Sequence, residues 1–286
     1  MIKKEMLKKI FKPVEYGSIT ITTPEKEEFK FKGPNKGVNV KITINDWKAL
    51  DAVAIHQDSG FFEAYAENLW DTDSLENLCT FVFQNEKAFE KVDISIMDGV
   101  LFWAQSSKVT FQPKQPLSEH ILDFDYSLED HPETRILLLG KNNQHLASLP
   151  HVTIYQHGVK YEQLFDRIVI YDPFFYVKNP DIFLQVMRSL LNKNGKMFWR
   201  TFVFQEDFLT QGQFLSKLVF PGYWAPKAKD LDKKINAYFT IERTESIDYP
   251  VIKKKERLFQ IFNAIIIALT KTNKLDYTEF VLLPRN

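Results

Sequence analysis

From about residue 133 onward the chain alternates short apolar runs with amphipathic stretches, and this alternation restricts it to few folds. Runs at 135–139, 152–156, 165–171, 196–204, 236–243 and 276–283 read as strands, and stretches at 143–149, 179–192, 205–218 and 253–270 read as helices. Strand and helix in alternation predict a parallel sheet. Lys193-Asn194-Gly195 supplies a helix stop ahead of a strand. The first run, Arg135-Ile136-Leu137-Leu138-Leu139, leads into Gly140-Lys141-Asn142-Asn143. A turn that presses its backbone amides against a ligand favours several glycines, and Gly140 is alone there.

The first 88 residues follow other rules. Residues 1–13 read as a short basic helix, with Ile2, Met6 and Ile10 on one stripe among Lys3, Lys4, Lys8 and Lys9. Such a helix packs on its domain with its lysines in water, or lies on an anionic membrane surface. Residues 17–45 alternate with period two, punctuated at Pro24-Glu25-Lys26 and at 33–37, which predicts a small antiparallel sheet with one wet face. A helix capped by Asn45 or Asp46 runs to Gln57, and Asp58-Ser59-Gly60 breaks it. Helix resumes over 61–69, and another follows Asp71-Thr72-Asp73-Ser74 to about Asn85. The sequence thus predicts a small α+β domain at 1–88, a linker at 89–132 and an α/β domain at 133–286.

Composition bounds the function. Formal net charge is zero, which argues against a general nucleic-acid binder. The single cysteine, Cys79, precludes an internal disulfide and fits a reducing compartment such as the cytoplasm. No run reaches the roughly 18 apolar residues of a membrane span, and the N-terminus shows no secretory signal. His145, His151 and His157 are too widely spaced for a zinc site, and Asp123, Asp125, Glu129 and Asp130 read as a solvated loop, so no metal is expected. The 25 phenylalanines could line an acyl-chain pocket, although an aromatic-rich core is the simpler reading.

Several segments, in order, carry a resemblance. They are Gly60-Phe61-Phe62-Glu63-Ala64-Tyr65, Leu69-Trp70-Asp71-Thr72-Asp73-Ser74-Leu75 ending in Asn85, Phe165-Asp166-Arg167-Ile168-Val169, Leu190 to Gly195, Phe220-Pro221-Gly222-Tyr223-Trp224-Ala225-Pro226, and the closing 277–284. Together they resemble the cyclopropane-fatty-acyl-phospholipid synthase family of S-adenosylmethionine-dependent methyltransferases, over about residues 15–85 and 160–286. The resemblance implies a trimmed Rossmann-like methyltransferase domain after the small N-terminal domain. It also implies a membrane phospholipid or fatty-acyl chain as ligand, at the inner membrane surface, and a homodimer or a heterodimer with an intact synthase.

The departures from that family are as informative. Its cofactor loop is Gly-x-Gly-x-Gly-like, where this chain has Gly140-Lys141-Asn142. Its next strand ends in an acid that holds the ribose hydroxyls. Between Gly140 and Phe165 lie only about two dozen residues, too few for the usual helix–strand–helix–strand passage, so at least one strand–helix unit is missing. The family's bicarbonate-holding Glu-His pair falls on Phe175 and Tyr176, and its next-strand His on Arg200. Phenylalanine cannot orient bicarbonate. Arginine binds anions but does not cycle a proton near neutral pH. The family's catalytic cysteine has no match, since Cys79 lies in the other domain and reads as a buried thiol. The expectation is therefore a degenerate member with no catalytic residues. Gly140, Asn142 and Asp172 would be remnants of the cofactor site, and Tyr171, Phe175, Tyr176 and Arg200 a ligand pocket. Asp172 follows a strand at the ligand-binding edge, and can equally be a turn residue before Pro173. No cofactor is expected, or S-adenosylmethionine if the chain is active.

Overall fold

The computed structural model describes residues 2–89, 134–140, 149–156, 158–170, 179–205, 227–249 and 256–285. The expected helices at 143–149 and 205–218, the linker and the 220–226 segment lie wholly or almost wholly outside these residues. The chain divides into two compact units.

The first unit begins with α1 (Ile2–Phe11), followed by β1 (Tyr16–Thr22), β2 (Glu28–Lys32) and β3 (Asn35–Ile44). Next come α2 (Lys48–Ala66), β4 (Trp70–Thr72), α3 (Leu75–Gln84) and α4 (Glu86–Phe89). The sheet has the order β2-β1-β3-β4. It is mixed rather than antiparallel, because β1 and β3 run parallel. The reason is local. Strand β2 ends beside the start of β1, and the chain slips past that start: Gly33 N–H bonds the Gly17 carbonyl, and Asn35 N–H the Glu15 carbonyl. It then climbs the far side of β1. The expected alternation holds: Ile19, Ile21, Val40, Ile42 and Ile44 are buried on one face, under α3.

Of the stripe expected on helix α1, Met6 is buried and Ile10 half-buried, and Leu7 is buried beside them. Its lysines reach acids of the same unit. Lys3 Nζ lies 2.8 Å from the buried Asp51 carboxylate, and Lys4 Nζ 2.8 Å from Glu27. The expected break at 58–60 falls within one continuous element, α2, as a sharp bend. A β-carbon on Gly60 would stand 1.9 Å from the Ala52 carbonyl oxygen, whereas residues eight apart in a straight helix lie about 12 Å apart. Helix α3 begins at the expected cap, where Asn77 N–H donates to Ser74 Oγ at 3.2 Å.

A further helix from the far end of the sequence, α7 (Arg257–Lys271), belongs to this unit and not to the second. The sequence places the 253–270 helix in the second domain. The correction has a physical cause: Phe259, Ile261, Phe262, Ile265, Ile266 and Leu269 are all buried, so the helix is apolar nearly all round and needs cover on several sides. It packs against α3 and α2. At its start the Arg257 guanidinium lies 3.6 Å over the Tyr65 ring, and Nη2 reaches the Trp70 carbonyl and Asp71, each at 3.3 Å.

The second unit holds β5 (Ile136–Leu139), β6 (Val152–Ile154), β7 (Phe165–Ile170), α5 (Pro180–Leu190), β8 (Leu191–Phe204), α6 (Ala228–Tyr238), β9 (Phe239–Ser246) and β10 (Leu275–Pro284). Its sheet order is β6-β5-β7-β8-β10-β9. Strands β6, β5, β7 and β8 run parallel, and β10 is antiparallel to both its neighbours. This is a Rossmann-like α/β arrangement in which the chain winds outward from β5 to both sides. One face, through Leu137, Leu139, Ile168, Ile170, Met197 and Trp199, packs on Leu184 and Met187 of α5 and Leu231 and Ile235 of α6. Helix α6 occupies part of the expected 236–243 strand. Leu231, Ile235 and Tyr238 fall at helical spacing, and that periodicity prevails up to Phe239.

Candidate functional site

The order of the second sheet reverses between β5 and β7, and ligands of open α/β sheets bind beyond the carboxyl ends of strands at such a reversal. Register aligns Leu139 with Ile170, and Ile170 with Trp199, so Gly140 and Arg200 each lie one residue beyond that row. At two strand spacings they are roughly 10 Å apart. Gly140 has φ of 140°, a backbone conformation that side chains with a β-carbon avoid. Of the other expected site residues, Asn142, Tyr171, Asp172, Phe175 and Tyr176 lie outside the described residues.

Arg200 has a protein partner that the sequence analysis did not identify. Its Nε donates to Glu279 Oε2 at 2.8 Å, and Arg243 Nη2 donates to Glu279 Oε1 at 2.7 Å. Arg243 also lies 3.6 Å from Glu245. Register explains the cluster: Glu279 of β10 faces Arg200 on β8 and Glu245 on β9. The Glu279 side chain is 7% exposed and that of Arg200 33%, so two guanidiniums compensate one nearly buried carboxylate. Next to them on the same face lie Phe202 and Tyr277, with ring centroids 5.3 Å apart. Tyr249 packs at 5.6 Å from Phe202, where burial, with Tyr277 beside it, pushes its phenol pKa up. A signal for the cluster was present: Glu279 directly precedes the apolar run Phe280 to Leu283 in a strand that the sequence predicts.

The tip of β6 lies at the same edge of the sheet as Gly140. Tyr155 and Gln156 stand there. Tyr155 stacks on Tyr161 with centroids 6.0 Å apart, and Gln156 N–H donates to the Tyr161 hydroxyl at 2.6 Å. Burial, then Tyr161, raises the Tyr155 pKa. Among the described residues β6 is the outermost strand, and the chain returns from it to β7 through residues 155–164 with no further strand.

Cys79 is buried, and burial, then Glu76, pushes its thiol up to about 12, so it is not a nucleophile near neutral pH. Among the described residues no group of three His, Cys, Asp or Glu side chains could hold a metal ion. No described helix is long and apolar enough to cross a membrane.

No family model matches the chain, and no curated protein matches it. Among solved structures it is similar to the cyclopropane synthase MmaA2 from Mycobacterium tuberculosis, at 12% identity over 53% of this chain and 78% of that one, with a TM-score of 0.40. It is similar to the mycolic acid cyclopropane synthase CmaA1 complexed with SAH and CTAB, at 14% identity over 53% and 78% of the two chains, TM-score 0.39. A third likeness is to an O-methyltransferase from a trans-AT PKS multienzyme of Brevibacillus brevis, in complex with S-adenosyl-L-homocysteine. It has 13% identity over 55% and 68%, TM-score 0.39.

Proposed function

We propose that the chain is a catalytically degenerate relative of cyclopropane fatty acid synthases, acting in the cytoplasm at the membrane surface as a non-catalytic lipid-binding or partner subunit in fatty-acyl or phospholipid modification. The ordered motifs support the kinship. The observation that carries the loss of activity is the tip of β6, where Tyr155, Gln156 and Tyr161 bond to one another and offer no carboxylate for a ribose. The residues present do not fit S-adenosylmethionine well, with Gly140 alone ahead of Asn142 and no carboxylate in Tyr155-Gln156. Phe175 and Tyr176 in place of a Glu-His pair, and Arg200 bound to Glu279, point the same way. The reading is tested by titrating S-adenosylmethionine into the pure protein by calorimetry, with methyl transfer to unsaturated phospholipid measured alongside. No heat and no transfer above background is the expected result; transfer above background overturns it.

One observation favours a second reading, an active S-adenosylmethionine-dependent methyltransferase on unsaturated fatty-acyl chains. Gly140 keeps a positive φ at the reversal point, as a backbone turned toward a cofactor would. On this reading the protein binds S-adenosylmethionine with a micromolar constant, and Gly140→Val abolishes binding while the fold persists. Arg200→Ala is a poor probe, since it leaves the nearly buried Glu279 with one arginine fewer. Arg200→Lys is the better one.

A further inference from the structure

Charge is unevenly spread along the chain. Residues 1–45 hold ten lysines and five glutamates, a surplus of five positive charges in a protein whose formal net charge is zero. The lysines of α1 are in part compensated: Lys3 pairs with Asp51, Lys4 with Glu27 and Lys8 with Glu5. Those of the four-stranded sheet stand differently. Register sets three rows on its outer face. Lys32, Ser18 and Asn39 form the first, and Lys30, Thr20 and Lys41 the second. Glu28, Thr22, Thr43 and Asp71 form the third. Cross-strand partners share a face, so Lys30, Lys32 and Lys41 project together from a ledge of short hydroxyl and amide side chains. All three are exposed. Within the rows the acids are confined to the last, where Glu28 lies 3.4 Å from Lys30; at the sheet edge Asp73 accepts from the Lys41 backbone N–H at 3.2 Å. Lys30 and Lys41 are two strands apart, roughly 10 Å.

We infer that this face docks on an anionic phospholipid surface, with Lys30, Lys32 and Lys41 against the headgroups. The inference rests on the lipid-directed reading above and names the surface that serves it. A flat ledge with three parallel cations and no large side chain between them matches a plane of negative charge. Helix α1 already buries Met6 and Leu7 against its own unit and does not have those side chains to give to a bilayer. Each lysine near an anionic surface strengthens binding about fivefold.

The test is co-sedimentation of the full chain with vesicles of phosphatidylglycerol and phosphatidylcholine, and with phosphatidylcholine alone. The triple variant Lys30→Gln/Lys32→Gln/Lys41→Gln is compared with a control, Lys193→Gln/Lys229→Gln/Lys233→Gln, on exposed positions of the second unit. The expected result is binding to the anionic vesicles only, weakened roughly a hundredfold in the first variant and little in the control, and lost as salt is raised. Unchanged binding by the first variant overturns the face and leaves the lipid reading standing, as does equal binding to neutral vesicles. Binding to neither kind of vesicle overturns both. Unchanged thermal unfolding of the triple variant establishes that a loss is not a folding defect.

Discussion

Asn85 caps the C-terminal end of α3, and the structure gives it a purely mechanical task. Four hydrogen bonds converge on its amide, and the residue is 1% exposed. Its Oδ1 accepts from the backbone N–H of Glu15 at 2.8 Å and of Tyr16 at 2.9 Å. Its Nδ2 donates to the carbonyls of Tyr16 at 3.0 Å and Phe81 at 2.9 Å. One side chain thereby ties the start of β1 to the end of α3. Asn85→Ala removes all four bonds, which at about 1 kcal/mol each comes to about 4 kcal/mol. Water reaching the half-exposed start of β1 lowers this to about 3 kcal/mol. Asn85→Asp keeps both accepting bonds but turns a carboxylate oxygen toward two carbonyls, and costs as much near neutral pH. Urea unfolding, followed by tryptophan fluorescence and circular dichroism, is the assay. With a slope of about 2 kcal/mol per molar, the midpoint falls by about 1.5 M. Asn39→Ala, which removes only an exposed bond from Ser18, stays within about 0.5 kcal/mol. An Asn85→Ala midpoint no lower than that of Asn39→Ala would refute the reasoning.

Three further outcomes follow from the same structure. Lys3→Met strands the Asp51 carboxylate, whose side chain is 3% exposed, and lowers stability by about 2–3 kcal/mol; adding Asp51→Asn recovers much of the loss, and a double variant no better than the single one contradicts the pairing. Cys79 stays unreactive toward a maleimide at pH 8 in the native protein and reacts promptly in denaturant, because its thiol is buried and held near 12; rapid native labelling would contradict its burial. For Asp166, burial raises the pKa, but the Arg135 N–H at 3.0 Å, the Asn192 amide and the Arg135 charge outweigh it and hold the carboxyl below its ordinary 3.8. A depressed folded pKa stabilises fully above the unfolded value and is lost as pH falls through the folded one. Asp166→Asn therefore melts earlier than the natural protein at pH 7, and the gap closes below about pH 3.8; a constant gap across that range would show that the charge is not responsible.

Much of the fold was legible because local rules suffice for it. Period-two alternation located β1, β2 and β3, the Asp71-Thr72-Asp73-Ser74 start located α3, and apolar runs located the strands of the second sheet, although β8 begins at Leu191 and takes in Lys193-Asn194-Gly195, which read as a helix stop. The departures arose where distance along the chain misleads. Nothing within 33–37 indicates that β3 will rise on the far side of β1, since that follows from where β2 ends. Leu231 and Ile235 carried a helical period that the alternating residues just after them obscured. In the candidate site, Gly140 was legible as the residue after a strand and Arg200 as a residue within one, but the partner of Arg200 lies 79 residues away.

The sequence by itself determined most of the strands and helices found among the described residues and that the second half winds into an α/β sheet. It also set Phe175 and Tyr176 where the resemblance expects a Glu-His pair, because side-chain identity alone sets what a group can donate, accept or titrate. Only the tertiary structure decided which unit owns α7, that the β1–β3 pair is parallel, and that Glu279 and Arg243 hold Arg200. Those are pairings between segments far apart in the chain. Apolar burial and ion pairing act through space, and the periodicity of one segment carries no address for the other.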